Sequence, residues 1–522
     1  MLHRTALALI AVLIVSACGG TDYLPVNTID QSRVLYVALN TPDGAAPGES
    51  PAYNTSCENP ANSVDDSNVA EFLEDAIGFA IDQEFGVVHL CEGTYETTSL
   101  VEFENVGSIT IRGDGPGATV IEGAGDHPLL LMAPSCLEEA ECPSQMNTLT
   151  LQDIALTNGF STSISAGEIG DWILGGAVTA PMIRTIRASF TQNEGVCGGA
   201  VALYGSMLRL LTDNTIFEDG LSEEPTEAEL LEYLSRWDTS ERSTFHETTF
   251  EGNSAAIGGA IAGTAFLDGD DLDVEEFFGT SIIACLNPGP IDIVDSDFTG
   301  NFASSVDADL PIGLGGGAIV TFDVRFVLIL EGGGGYLESW LDTEESRDPW
   351  LRITRSEFNE NTANGPGGAV IAVGATEIRS STFTANRAIG TGSAGGAITS
   401  AGSMQIFSSN FSANDASSGG ALALGGLFGG ADSLYLYRTV FNKNVAVVRG
   451  GAIEGWDREG IARGNRFTSN RAPLGSAVAV AVPECTRMIT RRMASDWKGN
   501  TFRMNRGGRL PVECYVVDPE PT

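Results

Sequence analysis

The chain of 522 residues carries 28 Lys and Arg against 69 Asp and Glu, a net charge of −41. A surface of that sign repels nucleic acid and anionic headgroups, and it disfavours polyanionic substrates unless a cation bridges them. Hydrophobic residues make up 43% and there are 63 glycines, enough for a large core with many sharp turns, in several domains or one elongated one.

The first twenty residues, "MLHRTALALIAVLIVSACGG", begin with His3 and Arg4, run apolar from Ala6 to Val15, and end in Val-Ser-Ala-Cys before two glycines. This pattern marks a secretory signal over 1–17, too short and wrongly flanked for an ordinary spanning helix. It resembles the lipobox of bacterial lipoproteins, which implies cleavage before Cys18 and lipidation of that residue. A plain secretory signal cut at the small residues is the alternative. Within the resemblance, Gly19 and Gly20 imply sorting to the outer membrane, on its surface or periplasmic face. The acyl chains then supply the anchor, at about 0.8 kcal/mol per buried methylene. No later segment is long and apolar enough to span a bilayer.

Removing Cys18 leaves Cys57, Cys91, Cys136, Cys142, Cys197, Cys285, Cys485 and Cys514. An even number in an exported chain points to disulfides, with Cys136–Cys142 and Cys485–Cys514 as the local pairings. Zinc is the weaker alternative, because Cys-x-x-Cys does not occur. Residues 18–60, with Pro25, Pro42, Pro47, Pro51 and Pro60, read as a tether. Residues 61–125 read as a cap with the first coils. Within them, 68–83 form an amphipathic helix with Phe72, Leu73, Ile77 and Ile81 on one side. "GVVHLCEGTY" and "SITIRGDGPGATVIEG" follow as short strands. This entry resembles that of pectate-lyase-like β-helices, where such a helix plugs the open end of the tube.

From about 150 two short motifs alternate. Phe-x-x-Asn starts at Phe190, Phe250, Phe298, Phe358, Phe383, Phe411, Phe441, Phe467 and Phe502, and Gly-Gly-Ala ends at Ala177, Ala200, Ala260, Ala318, Ala369, Ala397, Ala421 and Ala452. Between Phe358 and Phe467 the steps are 25, 28, 30 and 26 residues. A period of that size means stacked supersecondary units. The intervening stretches lack a helical stripe and are rich in turn residues. The expected fold is therefore all-β: a single-stranded right-handed parallel β-helix over 126–482, with a disulfide-linked cap at 483–522. Phe stacks on Phe inside the tube. Asn adopts left-handed angles at a corner and bonds its equivalents above and below. Gly-Gly permits close backbone approach. The motif pair resembles the repeats of chlamydial-type polymorphic outer membrane proteins, which implies a surface adhesin. Only about 40 residues follow the last repeat, without the strand series of a β-barrel.

Chemistry is sought in the irregular parts. Pectate-lyase-like enzymes, by resemblance, use clustered acids with Arg or Lys on outward coil faces. The nearest cluster here is Asp292, Asp295 and Asp297, with Asp323 and Arg325 one coil on and Arg355 after that. Paired carboxylates serve glycoside chemistry or hold Ca²⁺. Insertions near 218–247, 264–290 and 326–350 fall on consecutive coils and are expected to gather on one side. The first has a helix signature in "SEEPTEAELLEYLSRW"; the second holds Asp268, Asp270, Asp271 and Asp273, candidates for Ca²⁺ without EF-hand spacing. Trp237, Tyr336, Trp340 and Trp350 are the candidates for stacking on neutral sugars. Seven basic residues from Arg487 to Arg509 offer a contact for anionic lipopolysaccharide or a partner.

The reading that results is a lipid-anchored, monomeric β-helix acting as a binding or adhesion surface for glycans or for envelope or host components. It needs no cofactor, Ca²⁺ being the one candidate ion, and has no nucleic-acid partner. A polysaccharide lyase or glycoside hydrolase and a structural envelope rod are the alternatives.

Overall fold

The repeat closes into a tube because each coil places the same residue types at the same corners. A computed structural model describes residues 34–39, 56–57, 62–64, 69–104, 107–133, 147–161, 164–165, 171–172, 175–205, 242–263, 266–267, 289–304, 315–322, 349–425, 433–456, 460–482, 485 and 497–516. One regular coil runs through Met404–Phe407, Asn410–Ser412, Asp415–Ser418 and Leu422–Leu424. These four strands belong to four parallel sheets, here I to IV in chain order, with 13, 12, 9 and 12 described strands. The chain is a right-handed parallel β-helix.

Inside, Phe190, Phe250, Phe298, Phe358, Phe383, Phe411, Phe441 and Phe467 are fully buried. Their rings stack at centroid distances such as 4.6 Å for Phe298–Phe358 and 4.8 Å for Phe383–Phe411. The spacing follows from the strand separation of about 4.8 Å, since in-register pairing puts each ring above the last.

At the corner between sheets II and III, the backbone N–H and Nδ2 of Asn414 both donate to Oδ1 of Asn444 at 3.0 Å. Nδ2 also donates to the Phe383 carbonyl oxygen at 3.0 Å. The pattern repeats from Asn193 to Asn505. The residue in the left-handed region is not Asn but the one before it: Glu360, Ala385, Ala413, Lys443 and Ser469 all have φ between 55° and 58°. This corrects the expected role of Asn: its side chain satisfies groups freed by a turn that its neighbour makes. A second ladder, unforeseen, lines the corner between sheets I and II. Thr248, Ser296 and Ser356 each donate a backbone N–H to the hydroxyl two residues before the next phenylalanine, at 3.1–3.2 Å. Between sheets III and IV, Gly395 has φ 69°, and a Cβ on Gly396 would collide with the Gly420 carbonyl oxygen.

The corner between sheets IV and I is different. In regular coils it is short, as between Val370–Val373 and Thr376–Arg379. The long interruptions also open there. The chain leaves after Val201–Leu203, Ile261–Gly263 and Ile319–Phe322, all in sheet IV, and returns at Ser243–His246, Ile291–Val294 and Leu351–Thr354, all in sheet I.

The first end is plugged by α1 (Val69–Asp82), the one helix among the described residues, which buries Val69, Ala70, Leu73, Ala76, Ile77 and Ala80. The expected tether contains a strand instead. Val34–Leu39 pairs with Val87–Leu90 in sheet I, because its two sides are both apolar. Leu35 and Val37 enter the main core, while Val34, Tyr36 and Ala38 form a small cluster with Val87 and Cys91. Disulfides join Cys57 to Cys91 and Cys485 to Cys514, and Cys197 is also disulfide-bonded. Cys18, Cys136, Cys142 and Cys285 lie outside the described residues.

Candidate functional site

Every strand of sheet I points alternate side chains inward, so two outward columns run along the rod beside the corner where the insertions open. One column reads Asp292, Arg352, Glu377, Gln405, Tyr435, Ile461. The other reads Val294, Thr354, Arg379, Phe407, Tyr437, Arg463. The character of the face changes along its length.

The earlier coils are ionic and internally satisfied. Arg242 Nε donates to Asp292 at 2.7 Å, and Arg352 stands 3.6 Å from the same carboxylate. At the corner beside them, Arg355 grips Asp295 through two bonds of 2.6 Å. The Arg355 hydrogen bonds hold the Asp295 carboxyl below the usual aspartate range, with the Arg355 charge and His246 adding to the effect. Arg379 likewise donates two hydrogen bonds to Glu377, at 2.6 and 2.9 Å. A carboxylate saturated by a guanidinium is a poor proton acceptor and offers few lone pairs to a cation. Asp297 stands apart on sheet II, next to Glu357 of the following coil. Burial, and then the Glu357 charge, raise its carboxyl above the ordinary range.

The later coils carry an aromatic platform. Tyr435, Tyr437 and Ile461 are 40%, 43% and 46% exposed, large values for apolar side chains on a flat sheet. With Gln405 and Phe407 they line a shallow depression of about 210 Å³. Arg379 lies over the Phe407 ring at 4.4 Å and Arg438 over the Tyr437 ring at 5.3 Å. Such cation–π contacts fix both guanidinium and ring. The strand "LYLY" explains the display: Leu434 and Leu436 face inward, so Tyr435 and Tyr437 must face out.

Of the residues singled out from sequence, Asp292, Asp295 and Arg355 therefore share one face, while Asp297 does not. Trp350 is 2% exposed at the return into sheet I, where its carbonyl oxygen accepts from Arg242. Its ring is packing, not a ligand platform, contrary to the expectation. Asp323, Arg325, Trp237, Tyr336, Trp340, Asp268, Asp270, Asp271 and Asp273 lie outside the described residues. Phe407, Tyr435, Tyr437 and Ile461 are absent from the sequence-derived candidates, although alternation with the inward Met404, Ile406 and Leu436 marks them as outward. Among the described residues, Cys57, His89 and Cys91 bring together ligand atoms suited to a metal. The two sulfurs are joined to each other, and His89 accepts from Arg112 at 2.8 Å and meets Asp114 at 3.1 Å.

No protein-family profile matches the chain, and no curated protein matches it. Two solved structures are similar over 85% of it. The Dettilon tailspike protein (gp208) is 9% identical with a TM-score of 0.28, and this chain spans 64% of its length. The A-module of the mannuronan C-5 epimerase AlgE4 of Azotobacter vinelandii is 10% identical, with a TM-score of 0.18 over 95% of that chain. Likenesses of this degree carry no argument about the site.

Proposed function

We propose that this chain is an exported, lipid-anchored β-helix that presents sheet I as a carbohydrate-binding surface at the cell envelope. The observation that carries the reading is the aromatic platform of Phe407, Tyr435, Tyr437 and Ile461 on a flat, rigid face. Aromatic rings take the apolar faces of sugars, and a neighbouring amide such as Gln405 takes hydroxyls. Phe407, the two tyrosines and Ile461 lie on three consecutive coils about 4.8 Å apart, which suits an extended polymer better than a small molecule. The lipobox-like stretch that ends at Cys18 and the resemblance of the repeats to those of surface adhesins are what support a binding role at a membrane surface. Binding is favoured over catalysis because Asp292 and Asp295 are engaged by arginines.

A glycan array probed with the purified full-length chain and with a Tyr435→Ala/Tyr437→Ala variant tests the reading. Binding to at least one glycan class, lost by about tenfold or more in the variant, is expected. Equal binding by both proteins overturns it, as does accumulation of unsaturated or hydrolysed glycan product. Cys18→Ser is expected to move the chain from the membrane fraction to the soluble fraction.

A further inference from the structure

Charge is unevenly distributed along this acidic chain. Residues 433–522 hold 14 of the 28 Lys and Arg but only 8 of the 69 Asp and Glu. The last coils are thus a positive pole on a negative rod. Among the described residues there, the acids are Glu454 and Glu513, and both are committed. Glu454 accepts from Arg449 at 2.7 Å and from Tyr515. Glu513 accepts from the backbone N–H groups of Gly475 and Leu510 at 2.6 and 2.7 Å. The other six, Asp457, Glu459, Glu484, Asp496, Asp518 and Glu520, lie outside the described residues, as does Asp432 just before this stretch.

The positive pole overlaps the platform. Arg463 follows Tyr437 in the same outward column of sheet I. Arg438 occupies the adjoining corner with its guanidinium over the Tyr437 ring. Both are exposed, and neither has a carboxylate partner among the described residues. Of the upstream arginines on this face, Arg242, Arg352, Arg355 and Arg379 stand against acids, while Arg184, far from the aromatic rings, has no acid partner among the described residues. Along the two columns from Asp292 to Arg463 the order is therefore paired acids, aromatic rings, then guanidinium groups with no carboxylate partner among the described residues.

We infer that the glycan taken by sheet I is anionic, with sugar rings on Tyr435 and Tyr437 and its carboxylate or sulfate groups on Arg438 and Arg463. The inference rests on the carbohydrate reading and adds the ligand's charge. A guanidinium matches a planar carboxylate or a sulfate through paired N–H donors. The net charge of the whole chain argues against a densely charged polymer lying along the rod, because duplex DNA carries a charge about every 1.7 Å and would meet the acidic coils. A glycan with one charge per sugar, engaged at the basic end, avoids that repulsion.

The test uses matched ligands that differ in charge: octagalacturonate against its methyl ester, and a κ-carrageenan oligosaccharide against its desulfated form, with duplex DNA as a third arm. Titration of the full-length chain at low salt is expected to show at least one charged form binding about tenfold more tightly than its neutral counterpart. That ratio is expected to fall towards one in about 0.5 M NaCl, where the screening length is about 4 Å. It should fall likewise in Arg438→Gln/Arg463→Gln, while Arg471→Gln/Arg506→Gln on sheet III leaves it unchanged. Equal binding of charged and neutral forms, abolished by Tyr435→Ala/Tyr437→Ala, overturns the inference and leaves the carbohydrate reading standing. Absence of binding by either charged form overturns the inference, and the neutral glycan array then decides the carbohydrate reading separately. DNA binding tighter than both glycans overturns it in favour of nucleic acid. A charge preference that survives Arg438→Gln/Arg463→Gln removes these residues from the site and overturns it too.

Discussion

The inward and outward sides of sheets I and II are written in alternate residues of the same strands, yet they behave oppositely along the rod. Inward, Phe follows Phe from Phe190 to Phe502 without interruption. Outward, a single column passes from Asp292 through Arg352, Glu377 and Gln405 to Tyr435. A position that repeats is held by its neighbours above and below, so any change is felt by two coils. A position that varies is not tied to an identical neighbour, even where it meets an adjacent coil as Arg352 meets Asp292. The repeat therefore reports the fold, and departures from it report the function.

Substitutions sharpen this contrast, beginning with the interior. Phe383→Ala opens a cavity between Phe358 and Phe411 and is expected to cost about 3–5 kcal/mol in urea unfolding. A cost below about 1 kcal/mol would break the claim that the stack is a packed core. Asn414→Ala removes the acceptor for the Asn386 N–H and the donor to the Phe383 carbonyl, a loss of about 1–3 kcal/mol by the same measurement. On the outward side, Tyr435→Ala/Tyr437→Ala should leave stability within about 0.5 kcal/mol while glycan affinity drops about tenfold. Stability loss as large as that of Phe383→Ala would mean the platform is structural.

Two electrostatic tests are smaller. The Asp295 carboxyl is held below its ordinary range in the folded state. Its stabilising contribution is full above the unfolded value of about 3.9 and disappears as pH falls towards the depressed folded value. Unfolding free energy compared at pH 5 and pH 3 should thus fall less steeply for Arg355→Gln than for the parent, by under about 1 kcal/mol because both groups are partly exposed. Asp297 is raised, so its charge opposes folding at neutral pH. Asp297→Asn should slightly raise the melting temperature at pH 7, with the gain shrinking as pH drops and the carboxyl of the parent protonates.

The tube was legible because its period is short and its marks differ in kind: an aromatic ring, an amide and a pair of glycines. The amide ladder was foreseen as hydrogen bonding, but the left-handed residue was assigned to Asn, whereas Ala413 or Lys443 takes that conformation. A turn residue whose side chain points to solvent leaves no compositional trace, which is why these positions vary. The hydroxyl ladder through Ser296, Ser356, Ser381 and Ser409 was overlooked because serine is so common in turns. Attention to tryptophan pointed to Trp350, which is buried, and away from tyrosines whose outward position follows only from strand alternation. The strand at Val34–Leu39 was hidden among prolines and read as linker.

The corner between sheets IV and I has an evolutionary meaning. Phe-to-Phe distances along the chain range from 25 to 60 residues, yet the rings meet at 4.6–4.7 Å in both cases. Going from the shorter to the longer connection adds only about 0.8 kcal/mol of closure entropy. Segments can thus be gained, lost or exchanged at this corner while every ladder stays in register. The rod works as a rack with a row of open sockets, and each socket empties beside the face proposed to meet the ligand.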